Sequence, residues 1–155
     1  MPNMSNKSNQ AQHRFIEDMT RLLVPWGVPT TAARIYGYML LAPAPVSLDQ
    51  MADDLQISKS SASVAARLLE KYTLAYRQRV RGSKRVLYAV SDNYEAMLTE
   101  QNRLLDAMAA LLQRGAETAA SPVARTRLNA MGGFYLTVKS AMSSALKRQR
   151  AKERH

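Results

Sequence analysis

Between Ser47 and Tyr72 two short sets of apolar residues, each at helical spacing, are separated by a turn of only Gln56 and Ile57. Ser47 and Gln50 stand at the spacing of a capping box, in which each side chain satisfies an orphan backbone donor of the other. Leu48, Met51, Ala52 and Leu55 then line one face of a short helix. Ser58 caps the next, which carries Ala62, Ala65, Leu68 and Leu69 inward. Helices joined by so tight a turn cannot lie antiparallel over a long contact. They cross steeply, as in a helix-turn-helix.

The second helix leaves Lys59, Ser60, Ser61 and Ser63 outward around its first turn, with Arg67 one turn later. Small hydroxyls allow a helix to enter a major groove closely and to bond phosphates or base edges. The helix dipole favours phosphate at that end. A plain solvated helix start would have the same composition. The next segment shifts the balance. Tyr76, Gln78 and Val80 alternate with Arg77, Arg79 and Arg81, Gly82-Ser83-Lys84 reads as a turn, and Val86–Val90 as a returning strand. Three arginines at period two share one strand face. Five cations lie between Arg77 and Arg85 with no acidic residue among them. Their mutual repulsion is relieved by a polyanion, which a phosphodiester backbone supplies. The competing account is an edge strand guarded by charge against aggregation.

These elements predict a mainly α chain with a small β-hairpin wing, flanked by long N- and C-terminal dimerisation helices. Residues 1–12 are polar and read as a disordered N-terminus. Residues 13–28 carry an N-terminal dimerisation helix with Phe15, Ile16, Met19, Leu22 and Leu23 at helical spacing. Residues 29–91 form the winged helix-turn-helix, opening on a helix with Ala32, Ala33, Ile35, Tyr36, Met39 and Leu40 inward. Residues 92–146 form C-terminal dimerisation helices. Ser91 or Asp92 caps the first, and Gly115 suits its left-handed end. Ser121-Pro122 opens the second. Such stripes exceed what a small winged domain covers, so they meet a second copy or pack on one another and on the N-terminal helix. Residues 147–155 read as a solvated basic tail.

The net charge of +10 over 155 residues favours polyanionic partners. There are no cysteines, the first twelve residues lack the apolar core of a signal peptide, and no run approaches a membrane span. A cytoplasmic protein without membrane partners is expected. An enzyme is not. The two histidines, His13 and His155, stand near the chain ends, where a Ser/His/Asp triad has no rigid seat. No metal-ligand spacing or glycine-rich phosphate loop is present, so no metal and no cofactor is expected. Several of the nine methionines fall on the apolar stripes and read as core filling.

The segment Leu48–Arg77, LDQMADDLQISKSSASVAARLLEKYTLAYR, resembles the winged-helix core of the MarR superfamily. The stretch Leu22–Leu41, LLVPWGVPTTAARIYGYMLL, followed by SLDQMADDL and SKSSASVAARLLE, is similar to its GbsR branch, whose members are dimeric repressors, some linked to choline and glycine betaine metabolism. The resemblance covers roughly residues 14–146. It implies that the helix from Lys59 to Lys71 reads the major groove, that the wing around Arg81–Arg85 reaches minor groove or backbone, and that the terminal helices dimerise. The chain departs from the pattern after the recognition helix, where Thr73-Leu74-Ala75 replaces a usual Gly-Leu-Val. Threonine fits a left-handed cap poorly, so the helix is expected to end differently. The resemblance also suggests an effector pocket near Trp26, Tyr36, Tyr38, Phe134 and Tyr135. An aromatic cage there would suit a quaternary ammonium, although aromatics at helical spacing are more commonly core.

The expected partners are therefore double-stranded DNA with a near-palindromic operator, a second copy of the chain, and a small-molecule effector. The expected DNA-contacting residues are Ser47, Lys59, Ser60, Ser61, Ser63, Arg67, Arg79, Arg81, Ser83, Lys84 and Arg85. Two other classes compete: an architectural nucleic-acid binder, which relies on charge and apolar wedges, and a protein-interaction module, which has no use for a basic wing.

Overall fold

Residues 4–154 are described by a computed structural model. The chain divides into two units, Met1–Asp92 and Asn93–His155. The first holds α1 (Met4–Leu23), a 3-10 turn (Val24–Trp26), α2 (Thr30–Leu41), β1 (Val46–Ser47), α3 (Leu48–Leu55), α4 (Lys59–Lys71), β2 (Ala75–Arg79) and β3 (Val86–Val90). The second holds α5 (Tyr94–Thr118) and α6 (Pro122–Glu153). The expected fold class, mainly α with a small β wing, is the one observed.

The core of the first unit explains its local structure. Ile35, Met51 and Leu69, one from each of α2, α3 and α4, are fully buried side chains. Ala62, Ala65 and Ala66 keep the inner face of α4 small, so α2 and α3 approach it closely. Tyr88 of β3 closes the same core. The sheet has the order β1-β3-β2, both pairs antiparallel, with Val46 opposite Tyr88 and Arg77 opposite Tyr88 from the other side. The hairpin was legible in the sequence; β1 was not, because two residues carry no period. Its pairing with Leu87 and Tyr88 makes it a strand.

Several boundaries differ from expectation. Residues 4–12 are helical, not disordered, while residues 1–3 lie outside the described part. Their polar sequence shows no amphipathic period, yet extending an existing helix costs little once it is nucleated. α1 packs within its own unit. A Cβ on Gly37 would sit 3.2 Å from Ile16 Cα, so glycine permits this approach of α1 to α2.

The end of α4 is the most informative correction. Thr73 occupies the left-handed region at φ 62°. The Leu74 amide donates to Leu69 O at 2.9 Å and the Thr73 amide to Glu70 O at 3.0 Å. These are the two bonds of a Schellman motif, so the helix ends as a glycine would end it. Leu74 packs against the core and holds the chain in this turn. Replacing Thr73 with glycine removes a left-handed strain of about 1–2 kcal/mol against a larger unfolded-state entropy. Urea unfolding should show Thr73→Gly more stable by about 0.5–1 kcal/mol.

In the second unit, α5 and α6 form an antiparallel pair. Glu95 pairs with Arg150, Asp106 Oδ1 meets Lys139 Nζ at 2.9 Å, and Asn102 Nδ2 donates to Ser143 Oγ at 2.9 Å. Asn93, rather than Ser91 or Asp92, caps α5 by accepting from the Ala96 amide at 3.1 Å. Gly115 does not end the helix, which continues to Thr118. The glycine instead faces Leu128 of α6, whose Cδ1 would meet a Cβ there at 3.4 Å, an ordinary contact distance. Ser121 and Pro122 open α6 as expected. α6 runs through to Glu153, so most of the expected basic tail is helix; His155 is outside the described residues. No helix among the described residues is long and apolar enough to cross a membrane.

Candidate nucleic-acid interface

The start of α4 is built around Ser58. Its Oγ accepts from the Ser61 amide at 3.0 Å, donates to Ser61 Oγ at 2.8 Å and lies 3.3 Å from Ser60 Oγ. Ser60, Ser61 and Arg67 are exposed, and Ser63 is half-buried at the edge of that face. Lys59 is exposed but shares its charge with Asp49, Nζ to Oδ1 at 3.2 Å. A solvent-exposed pair of this kind is weak and yields readily to a phosphate.

Ser47 leaves the candidate interface. It is only 3 % exposed. Its Oγ accepts from the Gln50 amide at 3.1 Å while its own amide donates to Gln50 Oε1 at 2.8 Å. The capping box read from the sequence engages the Ser47 amide and Oγ, and burial keeps the side chain from a surface contact.

The wing is held by its backbone. Val80 N donates to Arg85 O at 3.2 Å and Ser83 N to Val80 O at 3.1 Å. Gly82, at φ 79°, takes the third position of that turn, which favours glycine. Ser83 Oγ accepts from the Arg85 amide at 3.0 Å, so Ser83 shapes the turn more than it presents a free hydroxyl. Arg77 is drawn to Glu70 at the end of α4, Nε to Oε2 at 3.5 Å. Arg79, Arg81, Lys84 and Arg85 are all exposed, and no carboxylate among the described residues pairs with them. Four unneutralised cations on one short hairpin make a strong local attractor for polyanions.

The aromatics expected around an effector do not form a cage within either unit. Trp26 lies on the 3-10 turn and is 84 % exposed. Tyr36 and Tyr38 are two apart on α2, a spacing that points side chains away from each other. Tyr36 packs on the core. The Tyr38 hydroxyl donates to Asp54 Oδ2. Burial, then the bond to Asp54 and its charge, push the Tyr38 phenol above its ordinary value. Tyr38 lines a cavity of about 290 Å³ with Gln12, Ile16, Pro43, Pro45 and Gln50. In the second unit Phe134 and Tyr135 meet edge to face at 6.1 Å, and Phe134 is 65 % exposed.

The sequence reading passed over Val64. It is 70 % exposed on α4, one turn from Ser60 and Ser61 and one turn before Arg67. Projecting the helix from its inward Ala62, Ala65 and Leu69 places it outward, so the signal was present.

Comparison with known proteins agrees with this architecture. A solved structure described as a transcriptional regulator superposes with a TM-score of 0.82, covering 91% of this chain and 99% of that one, at 24% identity. The chain shares the fold of that structure. Weaker likenesses are a MarR transcriptional regulator from Methanosarcina mazei (TM-score 0.43, 11% identity, 88% of this chain and 96% of that one) and the transcriptional regulator BldR from Sulfolobus solfataricus (0.42, 16%, 94% and 92%). No protein-family model matches the sequence, and no curated protein does.

Proposed function

We propose that the chain is a sequence-specific, duplex-DNA-binding transcriptional repressor that works as a homodimer and is released by a small effector. The observation that carries this reading is the unpaired cation set Arg79, Arg81, Lys84 and Arg85, set in the same unit as the serine-lined outer face of α4. The fold shared with a transcriptional regulator supports it. The GbsR-like assignment rests on the PWG, TAARIYGY and SKSSAS segments of the sequence.

Each copy inserts α4 into one major-groove half-site, with Ser60, Ser61 and Arg67 toward base edges and Lys59 toward a phosphate. The wing grips the backbone or minor groove beside it. Leu104, Met108, Leu111, Met131 and Phe134 stay exposed on the α5–α6 pair, an apolar surface that a second copy covers. Two-fold symmetry places the half-sites about one helical turn, ~10 bp, apart. Repression follows from promoter occlusion. An effector releases DNA by binding better to a dimer whose recognition helices are wrongly spaced. No catalytic step, cofactor or metal enters this scheme, and it operates in the cytoplasm.

Selection of duplexes from a random pool at near-physiological salt tests the proposal. An enriched two-fold-symmetric motif is expected. Binding without enrichment favours an architectural protein, and absence of binding a protein-interaction module. On the recovered motif, Ser61→Ala and Arg67→Ala should change which bases are preferred at one position per half-site, by about 1–3 kcal/mol for a bidentate contact of Arg67. A uniform loss on all sequences would remove α4 from base readout.

A further inference from the structure

We infer that Val64 reads the 5-methyl group of a thymine in each half-site; this rests on the proposal that α4 enters the major groove. Val64 is the large apolar side chain that α4 exposes most, at 70 %. A valine in this place is not explained by the helix itself, because β-branched residues are poorer helix formers than alanine. Nor does it serve the core, whose contacts on α4 come from Ala62, Ala65, Ala66 and Leu69. It lines an open cleft of about 320 Å³ with Pro29, Thr31, Ser60 and Ser61. Apolar wall, small hydroxyls and the nearby cations Lys59 and Arg67 together complement a groove edge that is anionic at its rim and carries a methyl group inside.

The chemistry selects one base. Among the four bases, thymine alone presents a methyl group in the major groove. A β-branched side chain has one strongly preferred rotamer in a helix, so its two methyls are presented with little further loss of freedom. Burying a methyl against them contributes about fourfold in affinity.

The test uses the full chain and the motif recovered from unmethylated synthetic DNA, in which thymine is the sole source of 5-methyl groups. Each thymine is replaced in turn by uracil, which deletes the methyl and keeps every hydrogen-bonding atom. Wild type should lose about fourfold at one thymine per half-site. Val64→Ala should bind the thymine duplex about sixteenfold more weakly, since both copies of the dimer lose a contact of about fourfold, and be indifferent to uracil there. Alanine favours the helix, and a thermal melt verifies that the variant is folded. Uracil tolerated at every position, an equal uracil penalty in Val64→Ala, or half-sites without thymine would each overturn the inference. Failure of the underlying proposal is distinguishable, because it appears earlier, as a pool with no enriched motif.

Discussion

Replacing Arg81 and Arg85 together with alanine weakens binding to every duplex by about ten-thousandfold, whatever its sequence, on the basis of roughly 1.5 kcal/mol for each of four charge-assisted contacts, two in each copy of the proposed dimer. Both residues are exposed and pair with no carboxylate among the described residues, so their removal leaves no buried charge behind and does not disturb the core. The turn itself survives. It depends on Gly82, on the Val80 and Ser83 backbone bonds and on the Ser83 hydroxyl, none of which the substitutions touch. The same variant should flatten the salt dependence, since each phosphate that the protein no longer neutralises lowers the slope of log affinity against log salt by about 0.9. Four such phosphates, two for each copy of the dimer, give a reduction of about 3.6. Titrations at four or five salt concentrations, on an operator and on a scrambled duplex, measure both quantities. An unchanged slope takes the wing off the DNA. A loss confined to the operator makes these arginines base readers.

The sequence was legible where a side chain and its backbone partner are close in the chain. Ser47 with Gln50, Ser58 with Ser61 and Ser121 with Ala124 close caps within a single turn, so spacing alone reveals them. Even there it was not complete, since Asn93 rather than Ser91 or Asp92 caps α5, and it failed more widely where the cause lies further away. Thr73 holds a left-handed turn because Leu74 is packed on a core assembled from α2, α3 and β3. Gly115 looked like a stop and is a contact point for Leu128, thirteen residues on. β1 is a strand because β3 returns beside it. The candidate interface divides in the same way. The wing cations were visible as an uninterrupted run of charge. Ser47 was assigned both a cap and a DNA contact, and its burial favours the cap alone. Val64 was overlooked because an apolar residue in a helix is read first as core.

Leu69 gives the second large effect, on stability rather than on DNA. It is fully buried and lies on the inward side of the helix whose outward side carries Ser60, Val64 and Arg67. Leu69→Ala removes the transfer energy of three carbons and leaves a cavity in the core that it shares with Ile35, Met51 and Ala66, a packing that closes it only in part. The expected loss is about 2–5 kcal/mol. For a unit of this size each kcal/mol lowers the midpoint of thermal unfolding by about 4–8 °C, so a fall of about 10 °C or more should be seen by circular dichroism. Leu69 also supplies the carbonyl that receives the Leu74 amide, a bond the substitution leaves in place, so the wing should keep its starting point. At a temperature where the variant is still folded, its operator affinity should match wild type within about threefold, because the deleted atoms face away from the groove. A small melting shift would mean that the site collapses around alanine. A large loss of affinity in the folded variant would mean that the inner packing of α4 sets the geometry of its outer face, and that specificity is determined from the core as well as from the surface.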